Sequence, residues 1–144
     1  MERRKEIMRE LSKKNPYYVN VYRYKELVYF CRQYPIWKEA LTGLSNLYAK
    51  PAELGMLVQT NKGSTSIVER CVISIDFFKT KMKIVEDAAK ETDPELYEYL
   101  LKGITQGLSY DKLGYIPCCR DTYYDRYRKF FYYLNKFQND FLLK

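Results

Sequence analysis

The chain contains no histidine. That absence removes the commonest general base, the base of a catalytic triad and the commonest metal ligand together. Its four cysteines are Cys31, Cys71, Cys118 and Cys119. None forms a C-x-x-C pair, and adjacent Cys118 and Cys119 are badly placed to chelate a metal or to bridge. No glycine-rich phosphate loop and no cluster with metal-ligand spacing occurs, so the sequence argues against an enzyme and for no cofactor and no metal. A cysteine nucleophile would lack its histidine. No apolar run approaches the length that spans a membrane. The start, MERRKEIMRE, is charged and has no apolar signal-peptide core, so a reducing cytoplasmic setting with free thiols is expected. No alternating β pattern of any length is present.

What is abundant is aromatic and basic. Sixteen of 144 residues are tyrosine, and hydrophobic residues make up 47% of the chain. That is enough apolar matter for a real core, in one ordinary domain or two very small ones. Tyrosine buries a ring while keeping a polar tip, which suits cores, protein interfaces and base stacking alike. Formal net charge is +7. The excess sits at the ends: residues 1–40 hold ten Lys and Arg against five acids, 41–103 hold eight against nine, and 104–144 hold seven against four. A basic balance favours a polyanionic partner, though many plain proteins reach this value.

Periodicity predicts a nearly all-α protein, a small helical bundle. Residues 1–42 read as an N-terminal helical segment: an amphipathic helix or basic arm over 1–14, a stop at Asn15-Pro16, then a helix over 20–42 that Pro35 breaks or kinks. Trp37 reads as a core anchor. Residues 43–64, with Gly43, Pro51, Gly55 and Gly63, read as a long loop or linker. A helical domain over 65–144 follows. Ser66 and Glu69 have capping-box spacing ahead of a long helix over 66–91. Along it Cys71, Ile75, Phe78, Met82, Val85 and Ala89 form a heptad-like seam, which serves either an intramolecular bundle or a homodimer.

Residues 94–136 then show the layout of a helix-turn-helix. Asp93 and Pro94 are start signals for a helix that buries Leu96, Tyr97, Leu100, Leu101 and Ile104 and ends at a left-handed Gly107. Ser109 is expected to cap a short helix carrying Leu113, and Gly114 and Pro117 bound the turn. A final helix over 120–136 puts Tyr123, Tyr127, Phe130 or Phe131, Leu134 and Phe137 inward. Arg120, Asp121, Tyr124 and Arg128 then face outward, flanked by Thr122, Arg126 and Lys129. Arginine suits guanine edges and phosphates, and Thr and Tyr hydroxyls suit phosphates. Ser109 and Lys112 could touch phosphate from the preceding helix. Ser109, Lys112, Arg120, Asp121, Thr122, Tyr124, Arg126, Arg128 and Lys129 are therefore the candidate contacts to double-stranded DNA. The plain alternative is a solvated charged face.

The segment DPELYEYLLKGITQGLSYDKL, followed by IPCCRDTYYDRYRKFFYYL, resembles the C-terminal region of ArpU/RinA-type regulators encoded by phages and prophages of Gram-positive bacteria. In outline it is also similar to the promoter-reading C-terminal domain of sigma factors. Gly107-Leu108-Ser109-Tyr110 stands where the first helix of that pattern opens. Cys119-Arg120-Asp121-Thr122-Tyr123-Tyr124 stands where its recognition helix opens, with Cys119 in place of the usual Ser. Arg126, Arg128 and Lys129 supply the basic run, and Phe130, Phe131 and Leu134 the apolar close. The resemblance covers residues 33–42 and about 65–136. It implies sequence-specific binding of duplex DNA in control of phage late-gene transcription, inside the host cytoplasm. A different expectation is a protein-interaction module that binds a host protein such as RNA polymerase through its Tyr-rich helices and the Cys71–Ala89 seam.

Overall fold

The structure is a computed structural model that describes residues 13–48 and 64–143, with side chains for 13–46 and 68–140. It contains α1 (Val21–Arg32), α2 (Tyr34–Tyr48), α3 (Ser64–Thr92), α4 (Tyr97–Gln106), a 3-10 turn (Tyr110–Leu113) and α5 (Arg120–Leu143). No strand occurs among the described residues, so the protein is all-α.

Local chemistry sets most of the boundaries. Asn15 closes a turn: its side-chain oxygen accepts from the Tyr17 N–H at 2.8 Å and its carbonyl from the Tyr18 N–H at 3.0 Å. Asn20 caps α1, accepting from the Tyr22 N–H at 2.9 Å. Pro35 is the second residue of α2, where a missing N–H costs nothing, so the expected 20–42 helix is two helices that meet at Gln33. The expected loop over 43–64 begins too early. Residues 43–48 continue α2, and Gly43 is a helix-interior glycine facing open space. Its propensity cost of about 1 kcal/mol does not end a helix that other residues support. Residues 49–63 and 1–12, including the proposed N-terminal amphipathic helix, lie outside the described residues. Helix α3 already runs at Ser64, so Ser66 and Glu69 lie inside it rather than at its start.

The chain divides into two compact units, 13–33 with 84–143 and 34–48 with 64–83, and the boundary falls within α3. This differs from the linear division read from the sequence, because α1 belongs with the C-terminal helices. In the first unit α1 packs on α4 and α5, and α4 packs on α5 and the 3-10 turn. The core holds Leu27, Cys31, Val85, Ala88, Ala89, Leu96, Leu100, Ile104, Leu113, Ile116, Tyr123, Tyr127, Phe130, Phe131 and Leu134. Fully burying each large apolar side chain contributes roughly 1.5–3 kcal/mol. Polar bonds fix both ends of α1: Arg23 Nε donates to Asn135 Oδ1 at 2.7 Å, and Arg32 Nε donates to the Ile104 carbonyl at 2.9 Å.

In the second unit Tyr34 and Trp37 of α2 are buried. The Lys81 ammonium lies 5.3 Å from the Trp37 ring centre and 4.3 Å from that of Phe77. Along α3 the seam is used within the chain: Cys71, Ile75, Phe78 and Met82 are half-buried, and Val85 and Ala89 are buried. No helix among the described residues is long and apolar enough to cross a membrane.

Candidate nucleic-acid interface

Six of the nine candidate contacts, Ser109, Lys112, Arg120, Asp121, Thr122 and Tyr124, lie in or beside the connection from α4 to α5, and Arg126, Arg128 and Lys129 lie further along α5. Helix α4 stops at Gly107, whose φ of 69° and ψ of 35° are left-handed. The N–H groups of Gly107 and Leu108 both reach the Gly103 carbonyl, the latter at 2.9 Å. The left-handed backbone strains any side chain at Gly107, and a Cβ there would also oblige the Arg32 guanidinium to move.

Upstream, Asp93 accepts from the N–H groups of Glu95 and Leu96 at 2.9 and 3.1 Å. It thus caps a turn over 94–96, and α4 proper begins at Tyr97 rather than at Pro94.

The expected short helix is smaller than predicted. Tyr110–Leu113 is a four-residue 3-10 turn, bounded by Gly107 and by Gly114 with φ of 82°. Only six residues separate those two glycines, which suits a 3-10 turn better than an α-helix. Ser109 occupies the cap position, but its side chain makes no capping bond. The Tyr124 hydroxyl accepts from the Tyr110 N–H instead, at 3.1 Å, and so satisfies a donor at this turn. Tyr110 in turn donates its hydroxyl to the Cys118 carbonyl at 2.6 Å. The connection is therefore held to α5 by two tyrosines, with Leu113 and Ile116 as apolar anchors.

Cys119 is the residue ahead of α5. Its carbonyl accepts from the Tyr123 N–H at 3.0 Å, and its sulfur lies 3.2 Å from the Thr122 hydroxyl. Bonds from the Thr122 hydroxyl and N–H hold this exposed thiol below its ordinary pKa. It does the capping work that a Ser does elsewhere. Burial, and then the neighbouring thiol, push Cys118 up.

From there α5 buries Tyr123, Tyr127, Phe130, Phe131 and Leu134 as the spacing predicts, and Phe137 is half-buried. The opposite face is less open than expected. Tyr124 is half-buried, its ring 5.1 Å from Tyr123 and 5.7 Å from Tyr127. It faces the 3-10 turn rather than solvent. Arg126 donates to Asp93 at 3.2 Å and pairs with Asp125. It belongs to the capped turn ahead of α4. Lys129 pairs with Asp125 at 3.3 Å and lies 5.0 Å from the Tyr17 ring centre. Arg128 is half-buried. The turn at residues 15–18 lies along this part of α5, with the Tyr17 ring 5.2 Å from Tyr132. An open cleft of about 480 Å³ lies here, lined by Tyr17, Asp93, Arg126, Lys129 and Tyr133 among others.

The start of α5 is open. Lys112, Arg120 and Asp121 are exposed, and Ser109 and Thr122 are half-buried, as Tyr124, Arg126, Arg128 and Lys129 are. Arg120 pairs with exposed Asp111, with its guanidinium 5.8 Å from the Tyr110 ring centre. Sequence reasoning missed Tyr115, which is 86% exposed in the turn. Its position between Gly114 and Pro117 was the available signal. It also missed Tyr17 and Asp111, whose roles depend on pairings distant in the chain or across a turn. Among the described residues no group of three or more Cys, Asp or Glu is placed to hold a metal ion. No protein-family model, no curated protein and no solved structure matches this chain.

Proposed function

We propose that this protein binds duplex DNA as a transcription regulator of the phage or prophage late-gene type, in the cytoplasm of a bacterial host. The observation that carries the reading is the open start of α5, where Lys112, Tyr115, Arg120 and Asp121 stand exposed around a helix N-terminus. Readers of this kind place the N-terminal residues of their second helix against base edges while the preceding segment meets the backbone. Lys112 and Arg120 are the phosphate or guanine contacts, Thr122 and Ser109 the hydroxyl donors, and Asp121 an acceptor for a cytosine amino group. The Arg120–Asp111 pair is exposed, and such pairs contribute at most about 1 kcal/mol. Exchanging it for a phosphate is therefore inexpensive. Arg126, Lys129 and Tyr124 support the helix and leave the contact set. The resemblance of residues 107–134 to ArpU/RinA-type regulators supports the same reading.

The test is binding to random-sequence and phage-promoter duplexes at two salt concentrations. Salt-sensitive binding that is lost in a Lys112→Glu, Arg120→Glu variant supports the reading. Absence of binding at low salt rejects it, because even non-specific readers bind there. Arg126→Ala is a poor probe, since it also releases Asp93.

A second reading, a module that binds a host protein such as RNA polymerase, is favoured by α1. Tyr22 and Tyr29 lie seven residues apart and are 76% and 70% exposed. Two turns of helix thus present two rings of an interface-enriched type on one side. Purified polymerase that binds the wild type and not a Tyr22→Ala, Tyr29→Ala variant would support it.

A further inference from the structure

Arg128 is a cation without a partner. It is half-buried on α5, and its Nε is sealed from solvent with no hydrogen-bond acceptor. Among the described residues no carboxylate pairs with it, whereas its neighbours Arg126 and Lys129 both hold Asp125. Leaving a charged donor partly buried and unpaired is unfavourable, and an acceptor brought from outside relieves it.

Arg128 lines a small cleft of about 240 Å³ with Lys129, Asp125 and the turn at residues 15–18, which supplies Asn15, Pro16 and Tyr17. The turn orients the Asn15 side chain. Its Oδ1 accepts from the Tyr17 N–H at 2.8 Å, so its Nδ2 is fixed on the other side of the amide as a spare donor. The Lys129 ammonium is held beside the Tyr17 ring, 5.0 Å from its centre. The charged groups of the cleft are Arg128, Lys129 and Asp125, one cation in excess, and Asp125 is engaged by Arg126 as well. Guanidinium, ammonium and amide donors around a net positive cleft fit an oxyanion. Donors arriving from two elements suit a tetrahedral phosphate, with oxygens on every side, better than a flat carboxylate. The cleft is smaller than the roughly 300–1,000 Å³ of pockets for whole drug-sized ligands, so it takes a phosphate group rather than a cofactor.

We propose that Arg128, Lys129 and Asn15 form a phosphate-binding site between the 15–18 turn and α5. It stands independently of the DNA reading and gives Arg128 a role other than a groove contact.

Orthophosphate titrated into the full chain, replacing chloride at constant ionic strength, tests it. The Asn15 side-chain amide and Arg128 Nε–H signals are followed by NMR, and both should move and saturate together. Losing a charged hydrogen bond should make Arg128→Met bind roughly tenfold or more weakly. Asn15→Asp keeps the acceptor for the Tyr17 N–H and replaces the spare donor with negative charge. It should abolish binding with helical circular dichroism unchanged. Acetate should bind more weakly than phosphate. Signals that never saturate, binding indifferent to Arg128→Met and Asn15→Asp, or acetate equal to phosphate overturns the proposal. So does movement of these signals with a short DNA duplex and not with orthophosphate, which would make the cleft a backbone contact of the DNA face.

Discussion

Gly103 lies in the interior of α4 for a reason that its helix alone does not supply. A Cβ there would collide with the Tyr123 hydroxyl and press on Leu113 Cδ1 at 3.2 Å. In an exposed helix Gly→Ala gains up to about 1 kcal/mol. Here Gly103→Ala should instead cost about 1–3 kcal/mol through overpacking, read from urea unfolding. The Tyr123 hydroxyl is buried and finds no hydrogen-bond partner in the protein. Removing an unpaired buried hydroxyl is nearly free, so Tyr123→Phe should leave stability unchanged or raised and should recover part of the Gly103→Ala loss. A second prediction concerns thiols. Cys119 is exposed and its pKa is lowered by its bonds from Thr122, whereas Cys31 is fully buried and burial pushes its thiol up. The thiolate is the nucleophile. A maleimide at neutral pH should therefore label Cys119 first, and Cys31 only on unfolding. Thr122→Val should slow the Cys119 reaction.

At the scale of the element, α5 is an aromatic spine with two jobs, filling the core and holding the connection before it. Burial holds the hydroxyls of Tyr123 and Tyr127, and of Tyr24 on the facing α1, above the ordinary tyrosine pKa. These groups stay neutral in the native state after the unfolded chain has begun to ionise near pH 10. Their contribution is thus fully present below about pH 10 and is lost as pH rises beyond it. With three such groups the slope should reach roughly 4 kcal/mol per pH unit, measurable as a fall in urea midpoint between pH 9 and 11. The spacing of Tyr123, Tyr127, Phe130, Phe131 and Leu134 made this inward face legible in the sequence, as did the left-handed end at Gly107. The outward face was less legible. Tyr124, Arg126 and Lys129 sit at outward angles on a helical wheel, yet their partners are Tyr110, Asp93 and Tyr17, brought in from other segments. Helix periodicity reports the angle of a side chain and nothing of what arrives to cover it. The 3-10 turn was hidden for a related reason: Ser109 looks like a cap until the Tyr124 hydroxyl arrives at the Tyr110 N–H.

At the scale of the whole molecule, a net charge of +7 overstates the charge available at the proposed contact face. Asp93, Asp111 and Asp125 each hold one or more of the cations there. Each phosphate neutralised adds about 0.9 to the slope of log affinity against log salt. Two exposed cations, Lys112 and Arg120, the latter exchanging Asp111 for a phosphate, predict a shallow slope of about 2. A filter-binding series across salt concentrations checks it; a slope of about 4 to 5 would mean that Arg126, Arg128 and Lys129 also engage.

The pairing of α1 with the far end of the chain has a kinetic consequence. Arg32 meets Ile104 across 72 positions, and Arg23 meets Asn135 across 112. During synthesis α1 emerges early and must wait, its Leu27 and Cys31 side exposed, until α4 and α5 have left the ribosome. High contact order of this sort slows the closing step. Nascent chains arrested before α5 should thus engage chaperones, and release past about residue 135 should let them go.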